Sequence, residues 1–362
     1  MIKRILYTLL IMFPVLASAQ INTDRVMAIG RNALYFEDYV LSIQYFNQVI
    51  NAKPYLSDPY FYRGLAKINL DDFQGAESDC SEAIERNPFV VSAYQVRGLA
   101  RIQQNNFAGA IEDYTKALEF DPENIGVWHN MALCRIRQED YKGAKNDLDK
   151  LIAISPRYTK AYLMRGEVDL KQKDTLAAEK DFGKAIEIDR YDADTWASRA
   201  ILRLQQQRYK DAEADFDHAI RLSTRNSGVY INRALARYHQ NNLRGAMSDY
   251  DIALDIDPNN FIGHYNRGLL RAQVGDDNRA IQDFNFVIEM EPDNMMAIFN
   301  RGLLLDQTGD YKGAIKDYST VINEYPNFLL GYQYRAQARR KIGDVKGADA
   351  DEFKVLKAQI GR

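Results

Sequence analysis

Histidine and cysteine are scarce in this chain, four and two in 362 residues, and the scarcity removes whole classes of chemistry. His129, His218, His239 and His264 stand far apart at no metal-ligand spacing. No zinc HExxH, no phosphate-cradling GxxxxGK[ST] and no GxSxG nucleophile elbow occurs. Carboxylates are plentiful but fall in regular rows or in turns, so no isolated pair suggests glycan hydrolysis. No catalytic residue, metal or cofactor is therefore expected, and the chain reads as a non-enzyme. Charge of one sign is lacking too: the formal net charge is −3, which gives no reason to expect nucleic acid or an anionic membrane as partner.

Long apolar runs are also missing. The longest lies at the start, where Lys3 and Arg4 precede an apolar stretch from Ile5 to Leu16 and a small-x-small site at Ala17-Ser18-Ala19. About a dozen residues are too few to span a bilayer, which takes about 20. The pattern predicts a cleaved signal peptide over residues 1–19 and an exported periplasmic or extracellular protein beginning at Gln20, with no integral membrane span. No cysteine follows the apolar run to accept a lipid.

What is present is a period. A small residue recurs every 34 positions, at Gly30, Gly64, Gly98, Ala132, Gly166, Ala200, Ala234, Gly268, Gly302 and Ala336. Ten repeats follow if this residue is taken as the eighth position, with starts at 23, 57, 91, 125, 159, 193, 227, 261, 295 and 329. The composition, 46% hydrophobic and 27% charged, supplies a long continuous core and argues against disorder.

Position 4 is mostly aromatic (Tyr60, Tyr94, Trp128, Trp196), position 20 is Ala in nine repeats, and position 24 is usually a ring (Phe46, Tyr114, Phe182, Tyr318). These spacings predict two amphipathic helices per repeat. A turn rich in Gly, Asn and Asp separates them, as at Asp71-Asp72, Asn105-Asn106 and Gly309-Asp310, and prolines such as Pro54, Pro122 and Pro258 mark the far end. Small residues at 8 and 20 let the helices of one repeat approach, and rings fill the space left between repeats.

This pattern resembles the tetratricopeptide repeat over essentially all of residues 23–362. The resemblance implies an all-α, right-handed superhelical α-solenoid that serves as a protein-interaction scaffold. Val26 and Ser42 depart from the pattern in the first repeat, Arg190 and Thr224 replace proline, and Glu352 replaces a ring in the last. Cys80 and Cys134 lie two repeats apart, too far for a disulfide when each helix advances the stack by about 10 Å. Both are expected to be buried thiols.

Two charged rows are particular to this chain. Position 7 is Arg63, Arg97, Arg165, Arg199, Arg233, Arg267, Arg301 or Arg335, and position 23 is Asp throughout the array from Asp79 to Asp351. A basic row alone would suggest a phosphate stripe, but the equally regular acidic row favours an internal Arg–Asp ladder. A second basic row at position 11, including Arg101, Arg203 and Arg271, is expected to be solvated or internally paired rather than to meet an anionic partner.

The family resemblance assigns the concave groove to the first helices, with positions 2, 5, 6, 9, 12 and 13 reaching ligand. Position 6 supplies Asn232, Asn266 and Asn300, position 5 Ile231, Tyr265 and Phe299, and position 9 Leu235, Leu269 and Leu303. An Asn amide matches the paired N–H and C=O of an extended peptide, and apolar neighbours would take alternate side chains. The arrangement resembles the asparagine ladder in the repeat superhelix of O-linked N-acetylglucosamine transferase, with three successive rungs only. Two readings stand for these residues: peptide-binding rungs, or polar side chains on a solvated helix. The carboxylate clamp of chaperone cofactors is absent, since Phe61 and Leu65, or Gln95 and Leu99, occupy its Lys and Asn places. The partner expected is another protein or a peptide segment; an envelope polysaccharide is the alternative.

Overall fold

The computed structural model describes residues 22–223 and 225–360, and the leader expected over residues 1–19 lies outside them. Among the described residues all regular structure is helical, in two compact units that divide after Lys173. The first holds α1 (Thr23–Tyr35), α2 (Tyr39–Ala52), α3 (Asp58–Ile68), α4 (Phe73–Arg86), α5 (Val91–Gln103), α6 (Phe107–Phe120), α7 (Ile125–Arg137), α8 (Tyr141–Ile154) and α9 (Thr159–Lys171). The second holds α10 (Thr175–Ile188), α11 (Ala193–Gln205), α12 (Tyr209–Leu222), α13 (Ser227–His239), α14 (Leu243–Ile256), α15 (Phe261–Gln273), α16 (Asp277–Met290), α17 (Met295–Thr308), α18 (Tyr311–Glu324), α19 (Leu329–Lys341) and α20 (Val345–Ile360). No described helix is long and apolar enough to cross a membrane.

Each repeat turns between its two helices through one left-handed residue: Glu37, Asp71, Asn105, Glu139, Lys173, Gln207 and Asn241, then Gly275, Gly309 and Gly343. An Asp or Asn usually follows and caps the second helix. Asp72 accepts the Gly75 N–H at 2.9 Å, Asn106 that of Gly109 at 3.1 Å and Asn242 that of Gly245 at 3.0 Å. Such a side chain satisfies one of the donors that a helix start leaves unpaired. At Gly75 a Cβ would come within 2.1 Å of Asp72 Oδ2, so the glycine makes room for its own cap.

The two helices of a repeat meet small against large. A Cβ at Gly98 would lie 2.8 Å from the Tyr114 ring, and one at Gly302 would lie 2.9 Å from Tyr318. Ala76, Ala110, Ala212 and Ala314 have no exposed surface, nor do Phe46, Phe216 and Phe284. Each such ring contributes about 1.5–3 kcal/mol through its burial. Clusters run from repeat to repeat within a unit: Tyr94, Tyr114, Val127 and Cys134 form one, and Tyr230, Ile231, Tyr250 and Leu270 another.

Position 4 ties successive repeats. Its polar tip bonds to the carbonyl six residues earlier, Tyr60 to Pro54 (3.3 Å), Trp128 to Pro122 (2.8 Å) and Trp196 to Arg190 (3.0 Å). Arg190 therefore gives the same carbonyl that proline gives elsewhere. In the first unit α1 meets α3 and α3 meets α5; in the second α11 meets α13, α15 meets α17 and α17 meets α19. Second helices of neighbouring repeats approach one another less closely. Each unit thus curves with its first helices on the inner side.

Candidate functional site

The charged rows account for most of the polar interior. Arg63 reaches Asp79 through Nε (2.8 Å) and Nη2 (2.5 Å), and Arg199, Arg233, Arg267, Arg301 and Arg335 grip Asp215, Asp249, Asp283, Asp317 and Asp351 in the same two-pronged way. Position 11 adds a second cation to the same carboxylate: Arg101 to Asp113 (3.0 Å), Arg237 to Asp249 (2.9 Å), Arg271 to Asp283 (2.7 Å). The position-11 row is therefore internally paired at these repeats. The aspartates are buried, Asp249 at 1% exposure, so the planar fork of arginine meets a carboxylate shielded from water. Burial pulls the Arg267 guanidinium down, but the bonds and charges of Asp283 and Asp251 hold it above its ordinary value.

In seven repeats the remaining nitrogen, Nη1, joins the repeat to the one before. It donates to the residue sixteen earlier: Arg63 to Asn47 (2.6 Å), Arg97 to Ser81 (3.1 Å), Arg165 to Asp149 (2.5 Å), Arg233 to Asp217 (2.7 Å), Arg267 to Asp251 (2.8 Å), Arg301 to Asn285 (2.8 Å) and Arg335 to Ser319 (2.9 Å). This third row, at position 25, escapes a reading of the sequence because Asn, Ser and Asp share no obvious type. Their common property is a side-chain oxygen acceptor.

Met131 breaks the ladder at position 7. Its partner Asp147 keeps one cation, Arg135 at 2.5 Å from Oδ1, while Oδ2 is buried with no hydrogen-bond partner. Burial pushes the Asp147 carboxyl up to about 7, with Arg135 opposing and Asp140 adding to the rise. Met131 sulfur instead meets the Thr115 hydroxyl at 4.0 Å, where the arginine would have found its acceptor.

The residues expected in the groove divide by environment. Ile231 and Phe299 are core residues, each 7% exposed. Phe299 packs edge-on to Phe328 and Tyr334, and also floors an apolar cavity of about 330 Å³ with Met295, Met296 and Tyr325. Tyr265 is half-buried against Phe284, and its hydroxyl accepts a bond from the Asn300 amide at 3.1 Å. Burial raises the Tyr265 phenol, and the Asn300 bond opposes that rise. Asn232 and Asn266 are also half-buried, yet neither has a hydrogen-bond partner among the described residues. Leu235 and Leu303 are half-buried beside them and Leu269 is 39% exposed.

A further apolar row accompanies them. Position 2 of the last three repeats is Ile262, Met296 and Leu330, exposed at 50%, 58% and 44%. The signal was present in the sequence as a change at that position from Asp24, Asp58 and Asp194 to apolar residues. Elsewhere polar groups are largely occupied. His264 lies between the Pro258 carbonyl (3.0 Å) and Asp283 (2.9 Å), His218 stacks on Trp196 and His239 on Tyr209. Among the described residues no three His, Cys, Asp or Glu side chains gather in a way that could hold a metal. Cys80 and Cys134 are free and buried, and burial pushes their thiols up to about 12 and about 11.

Comparison with known proteins agrees with this architecture. Family profiles described as tetratricopeptide repeat match residues 125–158, 159–192, 198–261 and 265–327, and one described as TPR repeat matches 98–134. No curated protein matches the chain. A tetratricopeptide repeat protein from Parabacteroides merdae is 21% identical, aligning 69% of this chain with 98% of its own at a TM-score of 0.53. The C-terminal part of a TPR repeat-containing protein from Cytophaga hutchinsonii is 17% identical, with 66% and 97% covered and a TM-score of 0.54. These likenesses concern the fold, which is of the protein- and peptide-binding kind. With helix pairs, period and profiles in agreement over more than half its length, the chain belongs to the tetratricopeptide repeat family.

Proposed function

We propose that this protein is a non-catalytic scaffold, exported to the envelope or extracellular space, that holds an extended segment of a partner protein on the first helices of its last four repeats. The unpartnered amides of Asn232 and Asn266 carry this reading. Neither amide is among the buried polar atoms left without a partner, so both reach solvent and are free to exchange water for ligand. Peptide backbone supplies the acceptor and donor that each lacks. Asn300 would join them by exchanging the Tyr265 hydroxyl for ligand.

Apolar surface flanks the amides on the same inner side. Leu269, Ile262, Met296 and Leu330 are exposed there, and Leu235 and Leu303 border them. These would take alternate side chains of the segment, with Phe299 beneath Met296. Ile231 contributes by packing the α13 helix rather than by touching ligand. Export is supported by the leader-like residues from Lys3 to Ala19.

The test is capture of the partner from an envelope extract by wild-type protein and by the Asn232→Ala, Asn266→Ala, Asn300→Ala triple variant, with helical content checked by circular dichroism. Capture is expected to fall at least tenfold in a variant that keeps its fold. Undiminished capture removes the assignment, and co-sedimentation of the purified protein with cell-wall material alone would favour the polysaccharide instead.

A further inference from the structure

The position-25 row has one gap that coincides with a cavity. Sixteen residues before Arg199 stands Gly183, which offers no side-chain acceptor. Arg199 holds Asp215 through Nε (2.8 Å) and Nη2 (2.8 Å), while its Nη1 makes no hydrogen bond among the described residues. The space that would hold the missing acceptor is part of a cavity of about 630 Å³ formed by α10, α11 and α12. Ligand pockets fall in the range of about 300–1,000 Å³.

Packing does not call for glycine at 183. A Cβ built there meets nothing within 4 Å. Glycine inside a helix costs about 1 kcal/mol relative to alanine, so its presence in α10 needs another account. Leaving Nη1 open to a ligand is one.

The cavity's chemistry specifies what enters. Arg190 and Arg221 line it and have no ion-pair partner among the described residues, whereas its one acid, Glu187, is bonded to Lys184 at 2.9 Å. Cations are in excess, so the ligand is anionic. Ile186, Leu222 and the edge of Trp196 form apolar walls beside them. Trp196 is already stacked by His218 at 4.2 Å and lies under the Arg199 guanidinium at 5.1 Å, so the ring acts as a fixed wall rather than a stacking platform. In three other rungs the acceptor for this same nitrogen is an aspartate carboxylate: Asp149, Asp217 and Asp251.

We propose that the cavity receives an acidic side chain of a partner protein, an Asp or Glu beside an apolar residue, whose carboxylate takes the place in the ladder that Gly183 leaves empty. The carboxylate accepts from Arg199 Nη1 and is flanked by Arg190 and Arg221; the apolar neighbour lies on Ile186 and Leu222. The site uses none of the asparagine rungs and does not depend on their role.

Trp196 reports on it directly, since the chain has two tryptophans and position 4 accepts tyrosine, allowing Trp128→Tyr as the background. The full-length protein is titrated to millimolar concentrations with the capped peptide Ala-Glu-Leu-Ala, its Gln counterpart and inorganic phosphate. Saturable fluorescence change is expected with the Glu peptide and at least tenfold weaker response from the other two. Gly183→Asp should abolish the response and raise the thermal midpoint, because the new carboxylate bonds Nη1 itself. Gly183→Ala should keep the response. No saturable change, equal binding of Glu and Gln peptides, phosphate binding as tight as the Glu peptide, retention of binding in Gly183→Asp, or loss of binding in Gly183→Ala would each overturn the proposal. The triple Asn variant should bind the Glu peptide as wild type does, which separates this site from the groove.

Discussion

At the scale of single residues, the Arg–Asp ladder sets the cost of most polar substitutions. Arg267→Met reproduces in repeat eight what Met131 does naturally in repeat four. It should lower stability by about 3 kcal/mol, since a buried carboxylate loses one of its cations. Arg271 still reaches Asp283 at 2.7 Å, which keeps the loss from being larger. Urea unfolding measures it, and an unchanged midpoint would show that the pair contributes nothing. Asp147 gives a pH signature of known sign. Its folded-state value near 7 lies above the ordinary carboxylate range of about 4, so between those limits the folded chain holds a proton that the unfolded chain has released. Stability from this group is greatest at the acidic side of the window and falls as pH rises through it, by up to about 1.4 kcal/mol per pH unit. Met131→Arg should supply the missing bonds to Oδ2, raise stability at pH 8 and flatten the slope between pH 5 and 8. Burial pushes Glu77, Glu179 and Glu213 up, but Arg partners, joined by Gln at Glu77 and Glu213, hold all three below their ordinary values, and they act in both proteins alike. The difference between wild type and Met131→Arg therefore isolates Asp147, and parallel pH profiles would refute its role.

Within an element pair, the turn between helices is where residue type and conformation disagree. Aspartate and asparagine at the turns were legible in the sequence because their side chains suit caps and left-handed backbone. Glu37, Glu139, Lys173 and Gln207 were not, since nothing in those residue types favours a positive φ; the helices on either side impose it. Gln207→Gly should stabilise the fold by about 1 kcal/mol, the cost of left-handed backbone for a residue with a Cβ less the extra entropy of glycine in the unfolded chain. A thermal midpoint that drops in this variant would place the strain elsewhere. The cap in the following repeat obeys the opposite rule: Asn242→Ala, which removes the 3.0 Å bond to Gly245, should cost about 1 kcal/mol in the same melt.

For the whole molecule, stability in a repeat array is approximately a sum over units and their nearest-neighbour interfaces. Here the interfaces carry both rings and charge, through bonds such as Trp128 to Pro122 and Arg233 to Asp217. The proposal of export makes a prediction at this scale. Protein recovered from an envelope or secreted fraction should have a mature N-terminus at Gln20 by intact-mass measurement, and a chain retaining Met1 in that fraction would contradict cleavage.

The sequence by itself determined the period, the pairing of helices, the meeting of small residues with rings and the partnership of Arg at position 7 with Asp at position 23. Each depends on residue types recurring at fixed spacing, which one chain displays in full. Only the tertiary structure decided which polar groups remain without a partner. Asn300 is occupied by Tyr265, thirty-five residues away, while Asn232 and Asn266 are not. Asp147 is left half-paired by Met131, and Arg199 is left open by Gly183. Those outcomes follow from what neighbouring helices present across an interface, and an unfilled bond is visible only once both sides of that interface are in place.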